Sequence, residues 1–332
     1  MKNAQVNPFN SNLDFRQKAL EIFEFQREFN PVYQRFCDAL VVKEVHAEDE
    51  IPLLPIQAFK DATVLTDEHS QFNIQHSIFF QSSGTSGMTR SRHYVVDPEI
   101  YRQSIIRGMQ HFYDLDEYVI LAYTPGYNSN PHSSLVWMLN ALIDRDSTGL
   151  SQYLELGKPL DQRLINQITD SGRKVMLFGA AFGLLDLIEI SDVTLDQDSI
   201  IMETGGMKTF RREMTKQELH TQLATGFGLP ESHIHSEYGM TELLSQAYSR
   251  GSLWFDPVPW MKVTIRNPKN PMEEMPVGGE GLIGVIDLAN LYSCSFILTG
   301  DKGIQNDKGQ FQVLGRWNPV NLRGCNFLID SD

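Results

Sequence analysis

The chain has 332 residues, 41% hydrophobic and 21% charged, which suits a soluble protein of about two domains or one large α/β domain with appendages. Its formal net charge of −14 excludes non-specific nucleic-acid binding, because no basic surplus exists to neutralise phosphates. Any anionic ligand must therefore be held by local devices rather than by the global field.

From about Leu13 to Phe29 apolar residues recur at helical spacing (Leu20, Ile22, Phe23), which predicts an amphipathic helix. The stretch IPLLPIQAF from Ile51 reads as a packed, irregular connector. HSIFF, from His76, reads as a buried strand, and a helix follows in VVDPEIYRQSIIRGMQHFY, with Asp97 as its N-cap and Pro98 in its first turn. YVILAYTPG is a further strand, and DQRLINQITDSG is a helix ended by Gly172. KVMLFGA, SIIMETGG and HIHSEYG are strands, and MTKQELHTQLATGFG is a helix opened by a capping box of Thr215 and Glu218. This alternation predicts a parallel sheet with helices on its faces. After about Gly251 the short strands MKVTIRNP, GLIGVIDLAN, SCSFILTGD and GQFQVLGR have no long helix between them and predict a β-rich subdomain. The expected division is an N-terminal segment 1–75 packed on the core, an α/β nucleotide-binding core 76–250 and the β-rich part 251–332.

The N-terminus MKNAQVNPFNSN has no apolar core of the signal-peptide kind, and the longest apolar run, VMLFGAAFGLL from Val175, is too short to span a bilayer. Cys37, Cys294 and Cys325 lack metal-ligand spacing and cannot all pair with one another. The expectation is a cytoplasmic protein with free thiols and no membrane span.

Three loops carry chemistry. QSSGTSGMTRSR, from Gln81, packs hydroxyls and glycines after a strand, a pattern in which successive backbone N–H groups make an anion-binding concavity. It is neither the lysine-bearing phosphate loop nor a GxSxG nucleophile elbow. ETGGMK (Glu203–Lys208) and EYGMTE (Glu237–Glu242) end two other strands, and ligands in open α/β sheets collect at such ends. YGMTE offers an aromatic face, a hydroxyl and a carboxylate, suited to a purine, a phosphate oxygen and a hard cation such as Mg2+. LTGD places Asp301 where an acid can accept from ribose hydroxyls, and Arg316 can reach a ribose or a phosphate. Taken singly, each motif also reads as an ordinary turn. His233, His235 and Glu237 alternate on one strand face, but that strand leads into the nucleotide loop and needs no metal. His132 reads either as near a substrate carboxylate or as a helix-start residue.

The order SSGTSGMTR, YGMTE, LTGD, GRWNPVNLRG resembles the adenylate-forming superfamily of acyl-CoA synthetases, adenylation domains and firefly-type luciferases. The wording of IPLLPIQAFK, SSLVWML, ETGGMK, HSEYGMTELLSQAYS, VIDLANLYSCSF and LRGCN is similar to the LuxE-type acyl-protein synthetases, from about Ile51 to the end, with phenylacetate–CoA ligases as next relatives. The resemblance implies a layered α/β large domain without the usual C-terminal mobile domain. It also implies ATP and Mg2+ as cofactors, with Ser82, Ser83, Gly84, Thr85, Ser86 and Gly87 closing over the β- and γ-phosphates. The usual Pro-Lys ending of that loop is Thr89-Arg90 here, so Arg90 supplies the charge. Gly205 and Gly206 would flank adenine, Tyr238 stack on it beside Gly239, Thr241 contact the α-phosphate and Glu242 hold Mg2+. Asp301 and Arg316 would bind the ribose.

The implied reaction is attack of a carboxylate, a fatty acid in the LuxE-type enzymes, on the α-phosphorus of ATP, giving acyl-AMP and pyrophosphate. Cys325 matches the cysteine thought to carry the acyl group, with Arg323 favouring its thiolate. It also reads as a small buried hydrophobe. CoA or a carrier-protein thiol is the alternative acceptor, a reductase or transferase the expected partner, and a non-catalytic nucleotide- or acyl-binding protein the rival from another class.

Overall fold

The computed structural model describes residues 7–66, 78–82, 90–125, 130–205 and 214–317. Helix α1 (Phe15–Phe29) starts where the Asp14 side chain accepts from the Gln17 N–H, and α2 (Pro31–Ala39) where Asn30 accepts from Val32 and Tyr33. These caps satisfy N–H groups that have no partner inside the helix. The α1 side chains Ala19, Ile22 and Phe23 are buried, and Gln26 bonds the backbone of Asn290, Leu291 and Ser295. A two-residue strand β1 (Leu54–Pro55) and a short helix α3 (Ala58–Asp61) follow, so part of the expected connector pairs into a sheet.

The apolar HSIFF segment yields β2 (Ile78–Gln81), which does not enter the parallel sheet. It pairs antiparallel with β3 (Arg92–Val95) in a two-stranded ribbon, and only Phe80 of its residues is fully buried. The expectation of a buried strand is corrected accordingly. Sequence reading also passed over β3, because its period-2 pattern runs through charged residues: Ser91, His93 and Val95 are buried, whereas Arg92 and Tyr94 are not.

The main sheet is assembled next. Helix α4 (Pro98–Phe112) has Asp97 as N-cap and Pro98 in its first turn, as expected. Then come β4 (Tyr118–Tyr123), α5 (Ser134–Arg145), β5 (Gln152–Tyr153), α6 (Gln162–Asp170), β6 (Lys174–Ala180), α7 (Ala181–Ile190) and β7 (Ile200–Thr204). They are followed by α8 (Lys216–Phe227), with the Thr215–Glu218 capping box, and by β8 (Ile234–Tyr238), β9 (Ala247–Arg250) and β10 (Asp256–Pro257). The strand order is β10-β9-β8-β7-β6-β4-β5, parallel from β8 to β5 and antiparallel at β9 and β10. Alternate residues feed opposite cores. Val119, Leu121, Val175, Leu177 and Ile201 pack with α6, α7 and α8, whereas Ile120, Ala122, Met176, Phe178 and Met202 pack with α4 and α5. Strands covered on both faces read as continuous apolar runs, as these do.

The β-rich part forms a second sheet from β11 (Met261–Asn267), β12 (Asn270–Glu274), β13 (Gly281–Asp287), β14 (Phe296–Gln305) and β15 (Phe311–Arg316). Its order is β1-β14-β13-β11-β12, with β15 along the later half of β14 and β1 parallel to the earlier half. The segment after β8 is fastened to this second sheet, which puts the candidate site between the two.

Candidate active site

Strand β8 ends at Tyr238, and the chain turns through Gly239 and Met240 to Thr241 and Glu242. Gly239 leaves room here: a Cβ would displace the Glu237 carboxyl beneath the turn. Thr241 and Glu242 are gripped from β3 and the residue before it. Ser91 Oγ donates to Glu242 Oε1 at 2.5 Å, and His93 Nδ1 lies 2.8 Å from the Thr241 carbonyl. A carbonyl only accepts, so His93 carries its proton on Nδ1. Burial lowers its pKa to about 4, which keeps the ring neutral at physiological pH. Glu242 is 6% exposed, and burial raises its carboxyl above the ordinary value, against the hydrogen bond from Ser91.

The second sheet holds the same segment from below. Asn290 Nδ2 donates to the Glu242 carbonyl at 2.8 Å. Asp287, fully buried at the end of β13, accepts from the N–H groups of Leu244 and Ser245 with one oxygen, and from Ser245 Oγ and the Ala289 N–H with the other. Burial pushes its pKa up to about 6, and these donors oppose that rise. A buried carboxylate accepting four bonds is an anchor whose loss strands three N–H groups and a hydroxyl.

The other end of the turn faces β14 and β15. Tyr238 is buried, its ring meeting Phe311 edge-on at 5.3 Å and Phe255 at 6.0 Å. Its hydroxyl donates to Asp301 Oδ2 at 3.0 Å, and Arg316 Nε lies 3.0 Å from Asp301 Oδ1. Asp301 and Arg316 are paired across the β14–β15 ladder. The Arg316 side chain is 57% exposed, so this pair opens to solvent.

Beside these ends lie two buried acids, on opposite faces of the sheet. Glu203 on β7 is ion-paired with Lys216 and faces His220 at 3.7 Å, both from α8. Burial works to raise its pKa, but Lys216 and His220 outweigh it and hold the carboxyl below its ordinary value. Glu237 on β8 accepts from Thr204 Oγ1, and burial raises it to about 7.

Of the residues singled out in the sequence, Tyr238, Gly239, Thr241, Glu242, Asp301 and Arg316 are thus brought into one continuous site. Gly205, with φ +88°, directly follows β7. Ser82 pairs with Ser91: its N–H donates to the Ser91 carbonyl, and its hydroxyl accepts from the Ser91 N–H at 3.1 Å. Ser82 and Arg90, the placed ends of the Ser/Thr/Gly loop, therefore lie next to the Ser91–Glu242 contact. Ser83, Gly84, Thr85, Ser86, Gly87, Gly206 and Cys325 lie outside the described residues. On the solvent side of β3 a cavity of about 610 Å³ is lined by Lys60, Asp61, Gln81, Arg90, Arg92 and Tyr94 among others. His132 stacks on Phe79 at 3.9 Å, His233 bonds the Ser199 carbonyl and His235 the Tyr113 hydroxyl. Cys37 and Cys294 are buried, which raises their thiols to about 11 and about 12, so neither offers a thiolate at neutral pH.

Sequence reasoning missed Ser91, His93, Asp287 and Asn290. The only available signal was an Asp and an Asn closing the apolar run VIDLAN, where a buried polar residue needs partners.

No curated protein matches the chain. Among solved structures, it is similar to a 2-hydroxyisobutyryl-CoA ligase in complex with 2-HIB-AMP and CoA, with a TM-score of 0.65 and 11% identity, over 91% of this chain and 69% of that one. ATP-bound MatB from Rhodopseudomonas palustris matches with a TM-score of 0.51 and 17% identity, over 72% of this chain and 47% of MatB, so the match spans about half of that protein. A luciferase-like enzyme from the nonluminescent mealworm Zophobas morio matches with a TM-score of 0.50 and 18% identity, over 74% and 58%. At these identities the likeness establishes the α/β fold of the adenylate-forming ligases. The acyl-protein synthetase family, LuxE, matches residues 9–332. The chain belongs to that family, and with it to the acid–thiol ligases that work through an acyl-adenylate.

Proposed function

We propose that the chain activates a fatty acid with ATP and passes the acyl group to its own Cys325. The observation that carries the first half is the grip on Thr241 and Glu242 from Ser91 and His93, beside the base of the Ser/Thr/Gly loop. That arrangement joins the three parts a nucleotide triphosphate needs: donors for phosphate oxygens, a hard carboxylate and positive charge from Lys60, Arg90 and Arg92 in the adjoining cavity. In a chain of net charge −14, such a local cluster is the device that makes an anion welcome.

In the first step a carboxylate oxygen of the acid attacks the α-phosphorus. The bond to the bridging oxygen breaks, and pyrophosphate leaves with the electron pair. A carboxylate is already a nucleophile, so no side chain must act as base. Thr241 would meet charge that grows on the phosphate oxygens, and its worth lies in being fixed beforehand, with the hydroxyls and N–H groups of the Ser/Thr/Gly sequence as further donors. Glu242 fits Mg2+, which takes one or two carboxylates and completes its shell with phosphates and water. Bound there, Mg2+ would neutralise phosphate charge. Tyr238, anchored to Asp301, would offer the face toward adenine, with Asp301 and Arg316 at the ribose.

In the second step the Cys325 thiolate attacks the acyl carbon of acyl-AMP, and AMP leaves with its bonding pair. The elevated thiols of Cys37 and Cys294 support Cys325 as the acceptor. A reductase, transferase or carrier protein would then collect the thioester in the cytoplasm. The test is incubation with MgATP and fatty acids of graded length, followed by intact mass. The expected result is a hydroxylamine-labile acyl adduct that Cys325→Ala abolishes. Pyrophosphate release without an adduct would move the acceptor to CoA or a carrier protein, and no release with any acid would leave a binding protein.

A further inference from the structure

The buried acids at the ends of β7 and β8 have no part in the chemistry above. Glu237 stands opposite Thr204 in the β7–β8 ladder and accepts from its hydroxyl, and its other carboxyl oxygen fills the space below Gly239. One side chain thus touches both strand ends: Thr204 leads into Gly205, and Gly239 leads into Thr241 and Glu242. Around Glu237, on the α4 side of the sheet, stand Tyr101 on α4 and Tyr248 directly across on β9, whereas Glu203 on β7 and Lys216 and His220 on α8 lie on the other face, because Glu203 and Thr204 are consecutive in their strand. The ammonium of Lys216 is paired with Glu203 on the other face. Among the described residues, a full negative charge on Glu237 has no cation in contact with it.

We propose that Glu237 is a positioning residue for ATP: clamped between Thr204 and Gly239, its carboxyl sets the two nucleotide-facing turns relative to each other, and it does so best in its neutral form. The inference rests on the ATP-dependent reading of this site. Burial first, and then Glu203, raises the Glu237 pKa to about 7, against Thr204 and Lys216. Below that pH the carboxyl is neutral and fits among Thr204, Tyr101 and Tyr248. Above it, the buried carboxylate has no cation in contact to offset its lost hydration, and the support it gives Thr204 and Gly239 is lost.

The test is the dissociation constant of MgATP from pH 6 to pH 8, measured for the full chain and for Glu237→Gln. Because the nucleotide's own ionisation affects both proteins alike, the ratio of wild-type to variant values isolates Glu237. That ratio should be near one at pH 6 and rise by roughly threefold or more at pH 8. A ratio that does not change with pH overturns the proposal, since a merely structural role would weaken binding equally at every pH. Thr204→Val removes a donor that favours the ionised form, so it should move the fall in wild-type-like affinity to higher pH. An unmoved midpoint also overturns it. Absence of MgATP binding by the wild type at any pH would overturn the ATP-dependent reading itself, and this inference with it.

Discussion

The two ends of the site are built differently. At the Thr241–Glu242 end the contacts are largely buried and come from behind: Ser91 and His93 by β3, Asn290 and Asp287 by the second sheet. At the Tyr238 end a buried ring carries a hydroxyl to Asp301, and Arg316, more than half exposed, closes the set from solvent. Fixed donors in a dry setting stabilise developing charge without reorganising, which suits the end proposed to meet phosphate. An exposed arginine on a strand end swings at little cost, which suits the end proposed to meet the nucleoside.

The contrast breaks most sharply at Asp287. Asp287→Ala leaves three N–H groups and the Ser245 hydroxyl buried without their acceptor, and should cost about 3–5 kcal/mol of stability, read by denaturant unfolding. A loss under about 1 kcal/mol would mean that the second sheet does not hold the turn. Ser91→Ala removes one hydrogen bond to a buried carboxyl while leaving the fold in place. It should lower the adenylation rate by roughly 10–100-fold at saturating ATP, with a smaller change in KM. The smallest effect belongs to Arg316→Ala. Its ion pair is exposed, so stability should change by about 0–1 kcal/mol, and the ATP KM should rise only a few-fold. An Arg316 effect as large as that of Ser91 on the rate would erase the distinction between the ends.

Much of this was legible in the chain itself. The alternation of apolar strands with capped helices foretold the parallel sheet, and the capping box at Thr215 and the N-cap at Asp97 stand where they were expected. Tyr238, Thr241, Glu242, Asp301 and Arg316 could be named because each sits in a short motif, although β14 runs on through Asp301 to Gln305 rather than ending at LTGD as expected. Their supports could not. Ser91 and His93 are single polar residues in a strand whose alternation is masked by Arg90, Arg92 and Tyr94, and their partners are about 150 positions away. Asp287 looks like any acid at a strand end until the second sheet brings it under Leu244 and Ser245. The placement of β2 in a separate ribbon was equally hidden, since its apolar run IFF suits a buried parallel strand as well as a half-buried one. Local pattern reports what an element is; what it will touch depends on closure over long stretches of chain.

The central claim is that the gripped Thr241–Glu242 turn is where a carboxylic acid meets the α-phosphate of ATP. Exchange of labelled pyrophosphate into ATP tests it most directly, because it reads reversal of that single step and needs no acceptor thiol. The account predicts exchange that requires a fatty acid, persists in Cys325→Ala and collapses in Glu242→Gln. Exchange that survives Glu242→Gln unchanged, or that never depends on an added acid, would contradict it.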